Sequence, residues 1–280
     1  MAIDVQLAAG LVTGRAPGSN IGTDTLDSIE RIRGSEFADR FDATGFSGTS
    51  TNAGSSGTFN RFEGQGGADE VIGNGNTSLD YFNTSAGITV TISGQGAGTV
   101  LAMYGSNTAT DAFTGVFWIN GGNSDDTFNG GTGADTFFGQ GGNDFMNGAA
   151  GDDKLEGGAG ADSLNGGAGE DQLTGGADLD SFIFDTPLDG STNVDTIVDY
   201  VAADDLIHLN QTYFGGLGTG YLSASAFALD NATGSAAQIV YNTTTGALSY
   251  DSNGALAGGA TQFAVLQGTP TLNANEFFIM

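Results

Sequence analysis

Large apolar residues recur every nine positions between residues 121 and 183: Phe128, Phe137, Met146, Leu155, Leu164, Leu173 and Phe182. Each holds the eighth place of a phrase that begins with glycine and has aspartate at its sixth place, and seven such phrases, GGNSDDTFN to GGADLDSFI, follow without a gap. A helix cannot use this spacing, because nine residues at about 100° each make two and a half turns and would move the apolar position to the opposite face at every repeat. A three-residue strand followed by a six-residue turn can. Two such units make an 18-residue coil, and coils stacked at the ~4.8 Å strand spacing form two parallel ladders with the eighth-place side chains inside. The pattern predicts an all-β fold: a parallel β-roll (β-solenoid) of nonapeptide repeats over 121–183.

The same rhythm is weaker over 1–120. GSEFADRFD from Gly34 puts Asp39 and Phe41 at the sixth and eighth places, GQGGADEVI from Gly64 puts Asp69 and Val71 there, and LDSIERIR puts Glu30 and Ile32 there. A longer echo relates IDVQL at 3–7 to ITVTI at 88–92, offset by 85, and DTLDSIERIRGSEFADRF to DAFTGVFWINGGNSDDTF, offset by 87. This reads as two copies of a strand-rich unit with imperfect repeats, joined at GNGNTSLDY (73–81), with ATGFSGTSTNAGSSG (43–57) as a loop or insertion. A first copy that starts abruptly at a strand fits the carboxyl end of a longer protein. Neither Gly57, 18 residues after Asp39, nor Thr51, 18 before Asp69, can pair a carboxylate, so a turn role and a calcium site stay open for both aspartates.

After Ile183 the pattern alternates as in strands: VDTIVDYVAADDLIHL, a hairpin at YNTTTGALSYD, and TQFAVLQG. Residues 184–280 are expected to form a β-rich carboxyl-terminal cap. Phe117, Trp118 and the phenylalanines are expected to pack strands.

Composition sharpens the picture. Forty-nine glycines with three prolines fit neither collagen nor a linker, so the glycines are positional. Thirty-three acids against six bases give a net charge of -27, which disfavours nucleic acid and anionic membranes as partners and opposes compaction unless a cation joins the fold. Without cysteine there are no disulfides or thiolate sites. No signal peptide and no transmembrane segment are expected.

Stacking puts Asp126, Asp144, Asp162 and Asp180 on one edge and Asp135, Asp153 and Asp171 on the other. Two carboxylates 4.8 Å apart repel by about 3 kcal/mol at an effective dielectric of ~20. A hard divalent cation between coils removes that cost, and calcium, with its many oxygen ligands and flexible geometry, suits glycine turns that offer carbonyls. The pairs 126/144, 144/162, 162/180, 135/153 and 153/171 predict roughly five Ca2+ sites, with affinities of about 10⁻⁴ to 10⁻³ M and folding that depends on the metal.

The phrases resemble G-G-x-G-x-D-x-U-x, the nonapeptide of the RTX (hemolysin-type) calcium-binding proteins. Departures are Ser124, Asp178, and Gln140 or Ala149 in place of the second glycine. The resemblance implies that each ion takes one carboxylate and two turn carbonyls from each of two adjacent coils. The ligand set is then the seven aspartates with Gly130, Gly131, Gly133, Gly139, Gly142, Gly148, Gly151, Gly157, Gly158, Gly160, Gly166, Gly167 and Gly169, and, earlier in the chain, Asp39 and Asp69.

Residues 184–280 resemble the domain that closes the roll in serralysin-type proteases and carries an uncleaved secretion signal, ending here in Glu276, Phe277, Phe278, Ile279 and Met280. The resemblance implies a secreted or surface location and the type I secretion machinery as a partner. The single histidine, His208, cannot build the zinc site of those proteases, and neither G-x-S-x-G nor a phosphate loop occurs, so no enzyme is expected. The leading reading is an extracellular module that folds on calcium after export. Two others stay open: a self-associating surface-layer, filament or adhesin subunit, and the non-catalytic end of a larger secreted enzyme.

Overall fold

The computed structural model describes residues 1–14, 24–25, 31–47, 49 and 60–280. Glu30, Thr51, Gly57 and most of the 43–57 segment lie outside them. The chain divides into two compact units, Met1–Gly142 and Asn143–Met280, and among the described residues nearly all regular structure is strand.

In the carboxyl-terminal unit the 18-residue coil is realised. Phe145–Asn147 pairs in parallel with Ser163–Asn165, and Lys154–Ala159 with Gln172–Ala177, each partner 18 residues on. All seven eighth-place side chains are buried, none more than 1% exposed. The two ladders differ in one respect that the nine-residue period hides. On one side Phe145–Asn147 and Ser163–Asn165 have three residues, whereas on the other Lys154–Ala159 and Gln172–Ala177 have six, because they stay paired through the glycines to Ala159↔Ala177.

Both ladders continue beyond Ile183. Leu173 pairs with Ile197 and then Leu266, and Phe182 with Ile207 and then Phe277, so apolar side chains of 184–280 extend the interior columns of the roll. The predicted hairpin is present as Gln238–Tyr241 against Ala247–Asp251. Phe277 and Ile279 are buried in the strand Phe277–Ile279, which lies between Leu206–Leu209 and Gly220–Tyr221.

The amino-terminal unit builds its columns differently. One runs Val5, Phe41, Val71, Phe113 and the other Ile32, Phe62, Leu79, Ile119, Phe137, all in parallel register. The strands Glu70–Asp80 and Asn107–Asn120 each serve both columns, with register shifts between Thr114 and Trp118 where they pass from one to the other. Most of the segment 73–81, read from sequence as a join, lies inside the continuous strand Glu70–Asp80. Phe117 is also corrected. It is 52% exposed and rests edge-on against Trp118 at 5.1 Å instead of packing inward.

The internal echo has a geometric counterpart. Ile3–Gln6 opens an antiparallel hairpin and sets Val5 beside Phe41; Thr89–Gly94 opens another and sets Val90 beside Phe128.

Candidate metal centres

Each repeat turn of the carboxyl-terminal unit buries its aspartate. Asp144, Asp153, Asp162, Asp171 and Asp180 are at most 2% exposed. One oxygen of the carboxylate is used by the backbone: the N–H groups of Asp144, Asp153 and Asp162 donate to Oδ1 of Asp162, Asp171 and Asp180 at 2.7, 2.8 and 2.9 Å. The pairs 144/162, 153/171 and 162/180 are thus brought together as the spacing requires.

The second oxygen, Oδ2, faces the first-place glycine of its own phrase. A methyl group on Gly157 would overlap Asp162 Oδ2 and come within 2.7 Å of the Gly175 carbonyl oxygen, and one on Gly148 would meet Asp153 Oδ2 and the Gly166 carbonyl at 2.6 Å. Gly166 and Gly175 hold the same relation to Asp171 and Asp180. First-place glycine is needed because carboxylate and carbonyl oxygens from two coils converge where a Cβ would sit. From the phrase at Gly139 onward the second and fourth places take positive φ, as at Gly158 (115°) and Gly160 (123°), and Gln140, Ala149 and Asp178 adopt that region without being glycine, at 79°, 71° and 83°. Gly142, Gly151, Gly167 and Gly169 also have positive φ, whereas Gly130, Gly131 and Gly133 do not.

Oδ2 of Asp171 and of Asp180 is buried without a hydrogen-bond donor. A buried anionic oxygen in that condition is unstable, so the carboxyl must take up a proton or a cation must approach. The protonation tendency has the same cause. Burial first, then the charges of Asp162, Asp205 and Asp199, push Asp180 up to about 7. Asp171 and Asp195 are both raised, by burial foremost and at Asp195 by the charge of Asp171.

Asp195 and Asp205 are absent from the nine-residue pattern, yet they continue the two edges. The N–H of Asp171 donates to Asp195 Oδ1 at 3.2 Å and that of Asp180 to Asp205 Oδ1 at 3.1 Å. They were missed because longer loops make the last coils 24 and 25 residues. The signal was present: Asp195-Thr196-Ile197 and Asp205-Leu206-Ile207 repeat the D-x-U core of the phrases. A third set also escaped notice. Asn143 and Asp152, at the fifth place, accept the N–H of Ala161 and Glu170 one coil on, at 2.8 and 3.0 Å.

In the amino-terminal unit the turn closes on its own carboxylate. Oδ2 of Asp39, Asp126 and Asp135 accepts the second-place N–H of Ser35, Gly122 and Gly131 at 2.5, 2.7 and 2.8 Å. Ile3 and Ile88, corresponding residues of the echo, donate to Oδ1 of Asp39 and Asp126 at 2.6 and 2.7 Å. Burial pushes Asp126 up to about 6 and raises Asp135.

The rule that Asp39 and Asp69 lack carboxylate partners fails. They partner each other across 30 residues, the Asp39 N–H donating to Asp69 Oδ1 at 2.8 Å, and Asp69 donates in turn to Asp111 Oδ1 at 2.9 Å. The 18-residue count does not apply between Asp69 and Asp111, where the long strand Glu70–Asp80 and a hairpin replace a coil. Gly34 repeats the cradle, with Asp39 Oδ2 and the Gly64 carbonyl both 2.6 Å from its missing Cβ.

Among the described residues no group of three or more His, Cys, Asp or Glu converges as a metal cage. The donors available are paired carboxylates and backbone carbonyls, all hard oxygens, and this set fits calcium better than the strict octahedron of magnesium. His208 is a half-buried strand residue against Phe278, ring centroids 5.6 Å apart, and burial lowers its pKa.

Fold and donors together define a parallel β-roll whose turns stack acidic side chains for a hard cation. Residues 120–155 and 147–182 match the RTX calcium-binding nonapeptide repeat, so this segment is a run of RTX repeats, which bind Ca2+ between turns. No curated protein matches the chain. Among solved structures, the AlgE6R3 subunit of the Azotobacter vinelandii mannuronan C5-epimerase is similar at 26% identity and a TM-score of 0.26, covering 55% of this chain and 78% of that one. The extracellular lipase LipA from Serratia marcescens is similar at 15% identity and a TM-score of 0.34, over 91% of this chain and 39% of the lipase. No helix among the described residues is long and apolar enough to cross a membrane.

Proposed function

We propose that the chain is a non-catalytic, extracellular calcium module whose repeat block folds when calcium binds after export by a type I secretion channel. The observation that carries this reading is the division of labour in the repeat carboxylates: Oδ1 of Asp171 and Asp180 holds the neighbouring coil, while their buried Oδ2 has no donor and faces the first-place glycine of its own phrase. The residues that would hold the ions are Asp126, Asp135, Asp144, Asp153, Asp162, Asp171 and Asp180 with the turn glycines, extended by Asp195 and Asp205, and Asp39 with Asp69 in the amino-terminal unit.

Calcium supplies the positive charge that the stacked carboxylates lack. The chain's own part is to hold the carboxylates in register, turn carbonyls toward them and keep side chains out at the first-place glycine. Ligands from two coils coexist only after folding, so binding free energy is folding free energy.

Export before folding is supported by the burial of Phe277 and Ile279: an apolar carboxyl-terminal signal is legible in the unfolded chain and hidden in the folded one. Calcium titration of the chelated protein, followed by circular dichroism with calorimetric ion counting, tests the reading. A large gain of β signal at sub-millimolar to millimolar calcium is expected; an unchanged spectrum overturns it.

A further inference from the structure

Asp111 ends the amino-terminal edge Asp39–Asp69–Asp111, and its surroundings differ from those of every aspartate in the repeats. It lies within the strand Asn107–Asn120 and pairs antiparallel with Val100, so no glycine turn precedes it to bring carbonyls to its carboxylate. Oδ1 accepts the Asp69 N–H, as an edge aspartate should, but Oδ2 accepts the hydroxyl of Tyr81 at 2.9 Å. Both side chains are buried, each residue 2% exposed. Tyr81 is fixed from behind: its N–H donates to the Asn120 carbonyl and its own carbonyl accepts from Thr84 Oγ1 and the Thr84 N–H.

We propose that Tyr81 is the residue that sets how many cations this edge takes: its phenol serves Asp111 Oδ2, the oxygen that lacks a donor at Asp171 and Asp180, and the 69/111 rung is metal-free. This rests on the calcium reading of the other rungs and limits it. At Asp39, Asp126 and Asp135 the Oδ2 donor is a backbone N–H of a turn opened by glycine, whereas at Asp111 it is a buried phenol on a strand residue with no such turn, and the phenol's ring fills the side from which a cation would approach. The amino-terminal columns through Val71, Phe113, Leu79 and Ile119 are then held at this rung without metal, while the repeat block is not.

Calorimetric counting of calcium on the full chain tests the assignment. Asp111→Asn, in which the amide can still meet both Asp69 and Tyr81, is expected to leave the number of bound ions unchanged; loss of one ion overturns the proposal. Asp180→Asn is measured in parallel and is expected to lower the count. If it does not, the calcium reading of the repeats fails, independently of the Asp111 result. Hydrogen exchange in chelator supplies a readout that survives a poorly folding variant. Wild-type amides of 70–80 and 111–119 are expected to exchange at least about tenfold more slowly than those of 154–177. Equal rates in the two segments overturn the metal-free rung.

Discussion

The first 61 residues and the repeat block answer the same electrostatic problem in opposite ways. Five of the six basic side chains lie before residue 62, and the sixth, Lys154, is the only one in the repeats. In the amino-terminal unit the fully buried Glu63 receives Arg31 at 2.5 Å and Arg33 at 3.2 Å, and buried Asp80 receives Arg61 at 3.3 Å and the Asn120 amide at 2.6 Å. Arg40 reaches Asp42, Asp4 and Glu70. In the repeats Lys154 reaches the half-buried Glu156 at 3.7 Å. Glycine at the first place leaves no side chain to bring a donor in. The comparison teaches that irregular coils leave room for arginine beside buried acids such as Glu63 and Asp80, and for tyrosine beside Asp111. An edge neutralised from solution can be strictly periodic.

Chelation should separate the two regions most sharply. With calcium removed, amides of 144–183 should lose protection to near unfolded rates, while those of 70–80 and 111–119 keep much of theirs, as read by hydrogen exchange with mass spectrometry. Uniform loss across the chain would erase the distinction.

The next largest effect is expected at Asp162, which shares rungs with both Asp144 and Asp180. Asp162→Asn keeps an acceptor for the Asp144 N–H but removes the anionic oxygen, and should raise the calcium midpoint of folding by about tenfold or more. Asp162→Ala also strands that buried N–H, adding about 1–3 kcal/mol of destabilisation at saturating calcium. Denaturant melts of the two variants separate the metal role from the backbone role; identical behaviour would mean that Oδ1 contributes nothing.

A smaller effect concerns pH. The carboxyl groups of Asp126 and Asp180 are raised in the metal-free fold, to about 6 and about 7. A raised folded value means that the fold binds protons more tightly than the unfolded chain. The stabilisation is full below the unfolded value of about 4 and is lost as pH rises through about 6–7. The chelated protein should therefore hold more β signal at pH 5 than at pH 8, whereas calcium, which competes with those protons, should bind more tightly at pH 8. Circular dichroism and titration at the two values check both signs.

The smallest change is a gain. Ala149 occupies the left-handed region at a φ of 71°, so Ala149→Gly should relieve about 1 kcal/mol of strain and raise the calcium-saturated melting temperature by a few degrees.

Much of this protein was legible because its chemistry is local and periodic. Glycine at place one, aspartate at place six and an apolar residue at place eight determine turn, charge and interior column within each phrase. From these alone follow the all-β roll, the 18-residue coil and the pairs 144/162, 153/171 and 162/180. The tertiary structure decided what a fixed count cannot see. Asp39 meets Asp69 across 30 residues, Asp69 meets Asp111 across 42, and Asp171 and Asp180 meet Asp195 and Asp205 across 24 and 25. Between Asp69 and Asp111 runs the long strand Glu70–Asp80 with a hairpin, and before Asp195 and Asp205 run longer loops; strand register, set by burial of the same apolar columns, realigns the carboxylates whatever the number of residues between them. The Tyr81 hydroxyl reaches Asp111 for the same reason: packing of the strands Glu70–Asp80 and Asn107–Asn120 carries it there, and nothing in the spacing of the two residues announces it.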